Sequence, residues 1–224
     1  MAIRAFLFDF DGLILDTEIH SRAGWQMLYR EHGHELPEDL WATLVGTTHA
    51  PWSPMDHLEE LVGAPLDRVA LNDHRYAYEL ELIEAEELRP GIVDYLAATR
   101  RHGLKRAIVS SSSRRWVDMH IQRFEEALDW DAICTADGDP QRAKPAPTLY
   151  LEALRLLEVE ADEAVAFEDS PHGVRAAKAA GIYTVAVPNE VTRDLGLDDA
   201  GADLLLDSLA DLAPEELLIR AAAA

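Results

Sequence analysis

The sequence predicts an α/β fold in which helices cover both faces of a parallel sheet, with a helical domain inserted after the first strand. After about residue 88, short apolar runs alternate with helical patterns, which is typical of βαβ units. Between residues 16 and 87, apolar residues recur instead at helical spacing, and no convincing strand is found. We therefore expect a core formed by residues 1–15 and 88–224 and a helical domain formed by residues 16–87.

Six short apolar runs are predicted to be strands. In a parallel sheet the carboxyl ends of the strands share one edge, and α/β proteins bind ligands at that edge. Polar residues that directly follow these runs are therefore candidates for a functional site. The predicted strands are Ile3–Phe8, Arg106–Val109, Ala132–Thr135, Ala164–Phe167, Thr184–Val187 and Leu204–Leu206.

The inserted segment is predicted to form several short helices. Trp25, Leu28 and Tyr29 fall at the spacing of one helix face, as do Val69 and Tyr76 in a later stretch. Prolines and glycines between residues 51 and 65 divide this part of the chain into short segments. We expect Trp25 and Tyr76 to lie in the apolar core of the helical domain.

The charge of the chain argues against several classes of partner. Its 42 acidic and 20 basic residues give a net charge of −22, which repels nucleic acids and anionic membrane surfaces. No apolar stretch approaches the roughly 18 residues of a membrane span, and acidic residues interrupt the apolar N-terminus. The single cysteine, Cys134, fits a reducing compartment. We expect a cytoplasmic protein with no nucleic-acid, membrane or obligate protein partner.

Two aspartates follow the first predicted strand. Alternate residues of an extended chain point to the same side, so Asp9 and Asp11 converge while Phe10 points elsewhere, and Gly12 lets the backbone turn. Two adjacent carboxylates suit a bound Mg²⁺, a cation that prefers oxygen ligands. They also suit a division of labour in which one carboxylate attacks phosphorus and the other moves a proton. The alternative is that the two aspartates form an acidic turn after a buried strand and have no catalytic or metal-binding role.

Three further polar segments follow later strands or precede later helices. Ser110 and Ser111 begin a run of serines, Lys144 precedes a proline, and Glu168 and Asp169 end an apolar run. Each segment alone has an ordinary explanation, namely a loop, a solvated lysine and a helix cap. Together they bring carboxylates, hydroxyls and an ammonium group to one edge of the predicted sheet.

These segments, in this order, resemble the four motifs of the haloacid dehalogenase superfamily of phosphotransferring hydrolases. The resemblance covers the whole chain and implies a Rossmann-like sheet with an α-helical cap domain. The cap and the helix after the fourth motif look like those of the branch that contains β-phosphoglucomutase and many small-metabolite phosphatases. The matching segments are Phe8–Glu18, Ser110, Lys144 with Pro145, and Glu168 with Asp169 and Ser170.

The resemblance implies a phosphatase that acts on a small phosphorylated metabolite through an aspartyl-phosphate. Asp9 would attack phosphorus and Asp11 would move protons, which is chemistry that carboxylates perform. The implied cofactor is Mg²⁺, and its ligands would be Asp9, Asp169, Glu168 and the main-chain carbonyl of Asp11. The phosphate would be held by Lys144, Ser110 and Ser111.

The main alternative is a phosphomutase like β-phosphoglucomutase. In this chain His20 stands one residue nearer to the first motif than the histidine of that enzyme, and His49 stands where that cap has an arginine. Arg75 would have to replace a lysine of the same cap. His20, His49 and Arg75 are kept as candidate substrate-binding residues of the cap, but the differences favour a phosphatase over a mutase.

Two other functions are less compatible with the motifs. A haloacid dehalogenase breaks a carbon–halogen bond and does not need Asp11 to protonate an alkoxide leaving group. A non-catalytic binding module would be expected to lose Asp9 or Asp11, and both are present.

Overall fold

The computed structural model describes residues 2–41, 43–44, 52–125 and 129–224 and contains a six-stranded parallel sheet. All six predicted strands are present in it, and the ends differ from the prediction by one or two residues. The strand order is β3-β2-β1-β4-β5-β6, so β1 lies between β2 and β4 at the centre of the sheet. The strands are β1 (Ala5–Phe8), β2 (Lys105–Ser110), β3 (Ala132–Thr135), β4 (Ala164–Glu168), β5 (Tyr183–Ala186) and β6 (Leu204–Leu205).

Nine helices are found among the described residues, and four of them lie between β1 and residue 88. No strand is found among the described residues of this segment, in agreement with the predicted helical insertion. The helices are α1 (Glu18–Glu31), α2 (Glu38–Trp41), α3 (Pro54–Val62), α4 (Arg68–Glu84), α5 (Ile92–His102), α6 (Arg114–Ile121), α7 (Thr148–Leu157), α8 (Pro171–Ala179) and α9 (Pro214–Ala223).

The central strand β1 is buried on both faces. Ala5 and Leu7 contribute to one apolar cluster, with residues of α7 and α8, and Phe6 and Phe8 contribute to another, with residues of α5, α6 and α9. This division follows from the alternation of side chains along a strand. Phe8 stacks on Phe167 of β4 with ring centroids 4.7 Å apart. The two layers of helices hold β1 rigidly and fix where the backbone leaves the sheet.

The inserted helices have an apolar cluster of their own, which includes Leu28, Tyr29 and Trp41. Helix α1 packs closely on α4, because a Cβ atom at Gly24 would lie 2.8 Å from the side chain of Glu79. Trp25 packs against the cluster as expected.

The expectation for Tyr76 is wrong. The side chains of Val69 and Tyr76 are exposed, by 73% and 40%. Tyr76 instead contacts Trp116 of α6, with ring centroids 6.3 Å apart. The helical spacing correctly predicted a helix, but it did not identify the element that this face of α4 contacts.

No helix among the described residues is long and apolar enough to cross a membrane.

Candidate active site

Four of the predicted site segments meet at the carboxyl edge of the sheet. Asp9 and Asp11 follow β1, Ser110 ends β2, and Glu168 ends β4 and is followed by Asp169. Because β1 is hydrogen-bonded to both β2 and β4, the parallel register brings these ends side by side. The side chain of Lys144 reaches the same place from the segment between β3 and α7.

A buried ion cluster lies at the centre of this edge. The Lys144 Nζ atom donates to Asp9 Oδ1 at 2.6 Å and lies 2.6 Å from Glu168 Oε1. Tyr150 of α7 also donates its hydroxyl to Glu168 Oε1. Burying charges this deeply costs free energy unless they are paired. The pairs of this cluster join elements that are far apart in the chain, so they also hold these elements together.

The carboxylates of the cluster outnumber its ammonium group. Burial raises the pKa of Asp9, against the opposing effect of Lys144, and burial with the nearby Asp9 charge raises the pKa of Glu168 to about 8. Burial also raises the pKa of Asp169 well above its usual value, with further contributions from Asp9 and Glu168. Burial lowers the pKa of Lys144, but the two carboxylates raise it by more. Ionisation of all these carboxyl groups would give the site excess negative charge, so the site needs protons or a cation to balance it.

This excess charge and its geometry fit a divalent cation. Asp9, Glu168 and Asp169 each offer one oxygen, and these oxygens lie within 4.8 Å of one another. Glu168 Oε2 is buried and has no hydrogen-bond partner among the described residues. Hard cations such as Mg²⁺ bind oxygen ligands of this kind. The donor set therefore suits Mg²⁺, in agreement with the charge balance.

Two residues position Asp169. Asn189 donates from Nδ2 to Asp169 Oδ2 at 2.8 Å. Gly12 has φ of +81°, and a Cβ atom there would clash with Asp169 Oδ2, so the turn after β1 requires glycine. The sequence analysis did not identify Asn189, because its loop follows β5 without a recognisable motif.

Asp11 accepts hydrogen bonds from four side chains. Thr17 Oγ1 and Trp116 Nε1 donate to Asp11 Oδ1 at 2.8 and 2.7 Å. Ser110 Oγ and Ser112 Oγ donate to Asp11 Oδ2 at 3.3 and 2.5 Å. Asp11 therefore has a well-defined orientation beside Asp9. The contributions of Thr17, Ser112 and Trp116 were not predicted from the sequence.

A pocket of about 320 Å³ opens above Asp9 and Asp11. The sheet edge contributes Ser110, Ser111, Lys144 and Asp169, and the inserted helices contribute Glu18 and Glu79, among other lining residues. Ser111 Oγ also accepts a hydrogen bond from the backbone nitrogen of Lys144 at 3.1 Å. The pocket therefore lies between the sheet and the insertion, and it is large enough for a small metabolite.

Glu18 is a further acidic group in the pocket, and no role for it was predicted from the sequence. It is the first residue of α1. Burial raises its pKa to about 8, and the charges of Asp11 and Asp9 add to the shift. At neutral pH Glu18 is therefore mainly protonated and adds little negative charge to the insertion side of the pocket.

The three candidate residues of the cap are placed differently from the sheet residues. His20 Nε2 lies 2.7 Å from Glu86 Oε1, and Arg75 is hydrogen-bonded to Glu79 and lies over the ring of Trp25. Neither His20 nor Arg75 is among the residues that line the pocket. His49 lies outside the described residues.

A parallel sheet with this strand order and a cluster of acids at its carboxyl edge defines a hydrolase of the haloacid dehalogenase type. Residues 3–181 match the family of haloacid dehalogenase-like hydrolases. The match covers most of the chain, which therefore belongs to this family. The earlier resemblance, the Rossmann-like α/β fold and the assignment as an enzyme are confirmed.

Named relatives point to phosphatases within the family. The protein named Putative phosphatase YhcW from Bacillus subtilis is 42% identical over 210 residues, which are 94% of each chain. Validoxylamine A 7′-phosphate phosphatase from Streptomyces hygroscopicus subsp. limoneus is 30% identical over 92% of this chain and 94% of its own. A crystal structure of CbbY from Rhodobacter sphaeroides in complex with phosphate superposes with a TM-score of 0.72 at 30% identity, covering 94% and 96% of the two chains. The chain is a phosphatase-type hydrolase.

Proposed function

We propose that this enzyme is a Mg²⁺-dependent phosphatase that hydrolyses a small phosphorylated metabolite through an aspartyl-phosphate on Asp9. The observation that supports this most directly is the placement of the Asp9 carboxylate. It faces the pocket, it is paired with Lys144 at 2.6 Å, and it shares the pocket with the firmly oriented Asp11. A nucleophile, a separate proton-transfer group and a cation-binding cluster therefore lie in one small volume.

The proposed metal ligands are Asp9, Asp169, Glu168 and the main-chain carbonyl of Asp11. When bound, Mg²⁺ supplies positive charge that reduces the repulsion between Asp9 and the phosphate of the substrate. That repulsion is about 4 kcal/mol for each pair of unit charges at 4 Å and an effective dielectric constant of 20. Asn189 and Lys144 keep two of the carboxylates in place, through their hydrogen bonds to Asp169 and Asp9.

The reaction proceeds in two displacements at phosphorus. In the first, an oxygen of Asp9 bonds to phosphorus while the ester bond breaks, and Asp11 gives its proton to the leaving oxygen. In the second, Asp11 takes a proton from water as that water attacks phosphorus, which releases inorganic phosphate and restores Asp9. The same group acts first as an acid and then as a base, so its orientation matters in both steps.

The phosphate is proposed to lie between Lys144 and the serine run after β2. The Lys144 ammonium group faces Asp9, and the hydroxyls of Ser110 and Ser111 lie in the same pocket. Donors that are already in place stabilise the charge that develops on the phosphoryl oxygens without having to reorganise. Ser110 also contacts Asp11, which links phosphate binding to the proton-transfer group.

We further propose that residues 16–87 form a cap domain over a core formed by residues 1–15 and 88–224. The inserted helices have their own apolar cluster and contribute Glu18 and Glu79 to the pocket. The metabolite is then enclosed between the two domains, which excludes water from the first displacement. The net charge of −22 disfavours nucleic acid as a partner. The single buried cysteine fits the proposed cytoplasmic location.

The test is a phosphate-release screen over sugar phosphates, phosphoglycolate and nucleotides, with Mg²⁺ or with excess chelator. We expect stoichiometric phosphate release from at least one monophosphate, and loss of that release in chelator. Full turnover in chelator would contradict the metal dependence. Conversion of β-glucose 1-phosphate to glucose 6-phosphate, stimulated by glucose 1,6-bisphosphate and with little free phosphate, would replace the proposal by a mutase.

A further inference from the structure

We infer that Trp116 is a positioning residue for Asp11, and that Tyr76 of the insertion holds the Trp116 indole in place. This inference rests on the proposed function, since it assigns proton transfer to Asp11. The observation behind it is the 2.7 Å hydrogen bond from Trp116 Nε1 to Asp11 Oδ1. Trp116 is half-buried and lines the pocket, so its indole N–H is directed towards the reacting groups.

Three contacts fix the position of Trp116. Its backbone nitrogen donates to Ser113 Oγ at 3.2 Å, which caps the first turn of α6. Its ring meets the ring of His120 edge to face, with centroids 4.2 Å apart. The third contact is the hydrogen bond to Asp11. Because Trp116 is held at its backbone, at its ring and at its indole N–H, the indole has little freedom to turn away from Asp11.

A single stretch of chain holds Asp11 in this way. Three of the four donors to Asp11, namely Ser110, Ser112 and Trp116, lie within seven consecutive residues. This stretch includes the serines that are proposed to hold the phosphate. Phosphate position and Asp11 orientation therefore depend on the same end of β2 and the same start of α6.

The insertion touches this arrangement through Tyr76. The Tyr76 ring lies against the Trp116 ring, with centroids 6.3 Å apart and planes at 41°. Tyr76 is 40% exposed, whereas Trp116 packs against the apolar cluster that includes Phe6 and Phe8 of β1. The packing of Tyr76 helps to keep Trp116 Nε1 within hydrogen-bonding distance of Asp11. The position of α4 is thereby linked to the group that moves the proton.

The role of Trp116 predicts a dependence on the leaving group. Protonation of the leaving oxygen is needed for an alkoxide, less for phenolate, and hardly at all for p-nitrophenolate. A misoriented Asp11 should therefore lower kcat/KM for poor leaving groups and spare good ones, because kcat/KM reports the first displacement, in which the leaving group departs, and not the later attack of water. A purely structural role for Trp116 would change kcat/KM of all esters by the same factor.

The experiment compares Trp116→Phe with the wild-type enzyme on p-nitrophenyl phosphate, phenyl phosphate and glycerol phosphate. The first two substrates are similar in size and charge and differ in the leaving group. Trp116→Phe keeps an aromatic ring against Tyr76 and His120 and removes the indole N–H. We expect kcat/KM for phenyl and glycerol phosphate to fall about ten- to a hundredfold, the range for losing a hydrogen bond to a charged group. We expect kcat/KM for p-nitrophenyl phosphate to change less than threefold.

Four further variants serve as references and controls for Trp116→Phe. Asp11→Asn sets the largest leaving-group effect that can occur, since it removes proton transfer altogether. Tyr76→Ala should reproduce the pattern of Trp116→Phe with a smaller ratio, whereas Tyr76→Phe should match the wild type because only the ring is used. Trp130→Phe, the same change at a half-buried indole before β3, should leave all three rates unchanged.

The outcomes are distinguishable. Equal factors on all three substrates for Trp116→Phe would overturn the inference while leaving the phosphatase proposal intact. A wild-type enzyme with no Mg²⁺-dependent phosphate release would instead overturn the proposed function. Thermal unfolding of each variant separates loss of fold from loss of orientation. Should Trp116→Phe fail to fold, equal factors on all substrates for the exposed Tyr76→Ala variant would equally overturn the inference.

Discussion

The two sides of the pocket differ in how their charged groups are held. On the sheet side, Lys144 pairs with Asp9, which is more than a hundred residues away in the sequence, and with Glu168, which is about twenty residues away. All three side chains are buried. On the insertion side, Arg75 is paired with Glu79, four residues away on the same helix. The sheet side is therefore fixed by long-range topology, and the insertion side by local helix contacts.

This difference suggests how the labour is divided. Groups placed by a buried parallel sheet have one position, which suits chemistry that depends on short distances. The Arg75–Glu79 pair lies within one helix, so it moves with that helix and does not fix the insertion against the sheet. We expect the sheet side to determine the reaction and the insertion side to determine which metabolite is accepted. Each of the following predictions tests this contrast.

The largest effect is expected for Asp9→Asn. An amide cannot form the aspartyl-phosphate, so turnover should fall by on the order of 10⁴-fold or more. The change is nearly isosteric, and the amide oxygen still accepts from Lys144 Nζ, so the fold should be retained. Steady-state phosphate release and circular dichroism measure the two quantities. A variant that keeps a tenth of wild-type activity would remove Asp9 from the mechanism.

Lys144→Met should have the largest effect on stability. It leaves Asp9 and Glu168 buried without their cation, and breaking a buried pair in this way costs about 3–5 kcal/mol. Arg75→Met is the matched change on the insertion side and should cost less, about 1–2 kcal/mol, because it leaves one buried carboxylate without its cation instead of two and Arg75 is more exposed than Lys144. Urea unfolding in chelator measures both values. Equal losses for the two variants would contradict the contrast between the two sides.

The sequence predicted the sheet side much better than the insertion side. Short apolar runs gave all six strands, and the parallel arrangement then placed the polar residues that follow them at one edge. No such rule relates helices of the insertion to that edge. The partner of Tyr76 depends on how α4 packs, and the link from Trp116 to Asp11 joins residues 105 positions apart. Neither contact leaves a periodic signal in the sequence.

Glu18 gives a smaller effect, which depends on pH. Its pKa is about 8 in the folded chain and near 4.3 in an unfolded one, so the folded chain retains a proton that the unfolded chain releases. Stability from this group is complete below about pH 4 and is lost as the pH rises to about 8, with a slope of at most about 1.4 kcal/mol per pH unit. Glu18→Gln should therefore make the free energy of unfolding less dependent on pH.

The measurement is urea unfolding in chelator between pH 6 and 8 for the wild type and Glu18→Gln. Taking the difference between the two proteins removes contributions that they share, including those of the buried His120 and the half-buried His172, whose pKa values are lowered by loss of solvation. We expect the difference in stability to grow with pH in favour of Glu18→Gln. Parallel curves would show that Glu18 is ionised in the folded chain.

The most direct test of the mechanism is a rapid acid quench during the first turnover of a substrate whose phosphoryl group is radiolabelled. The account predicts that with Mg²⁺ present the label appears transiently on the protein, on the peptide that contains Asp9, and that it decays as inorganic phosphate forms. The Asp9→Asn variant should carry no label. Phosphate release at the full rate with no labelled protein at any time, or label on a different residue, would contradict the account.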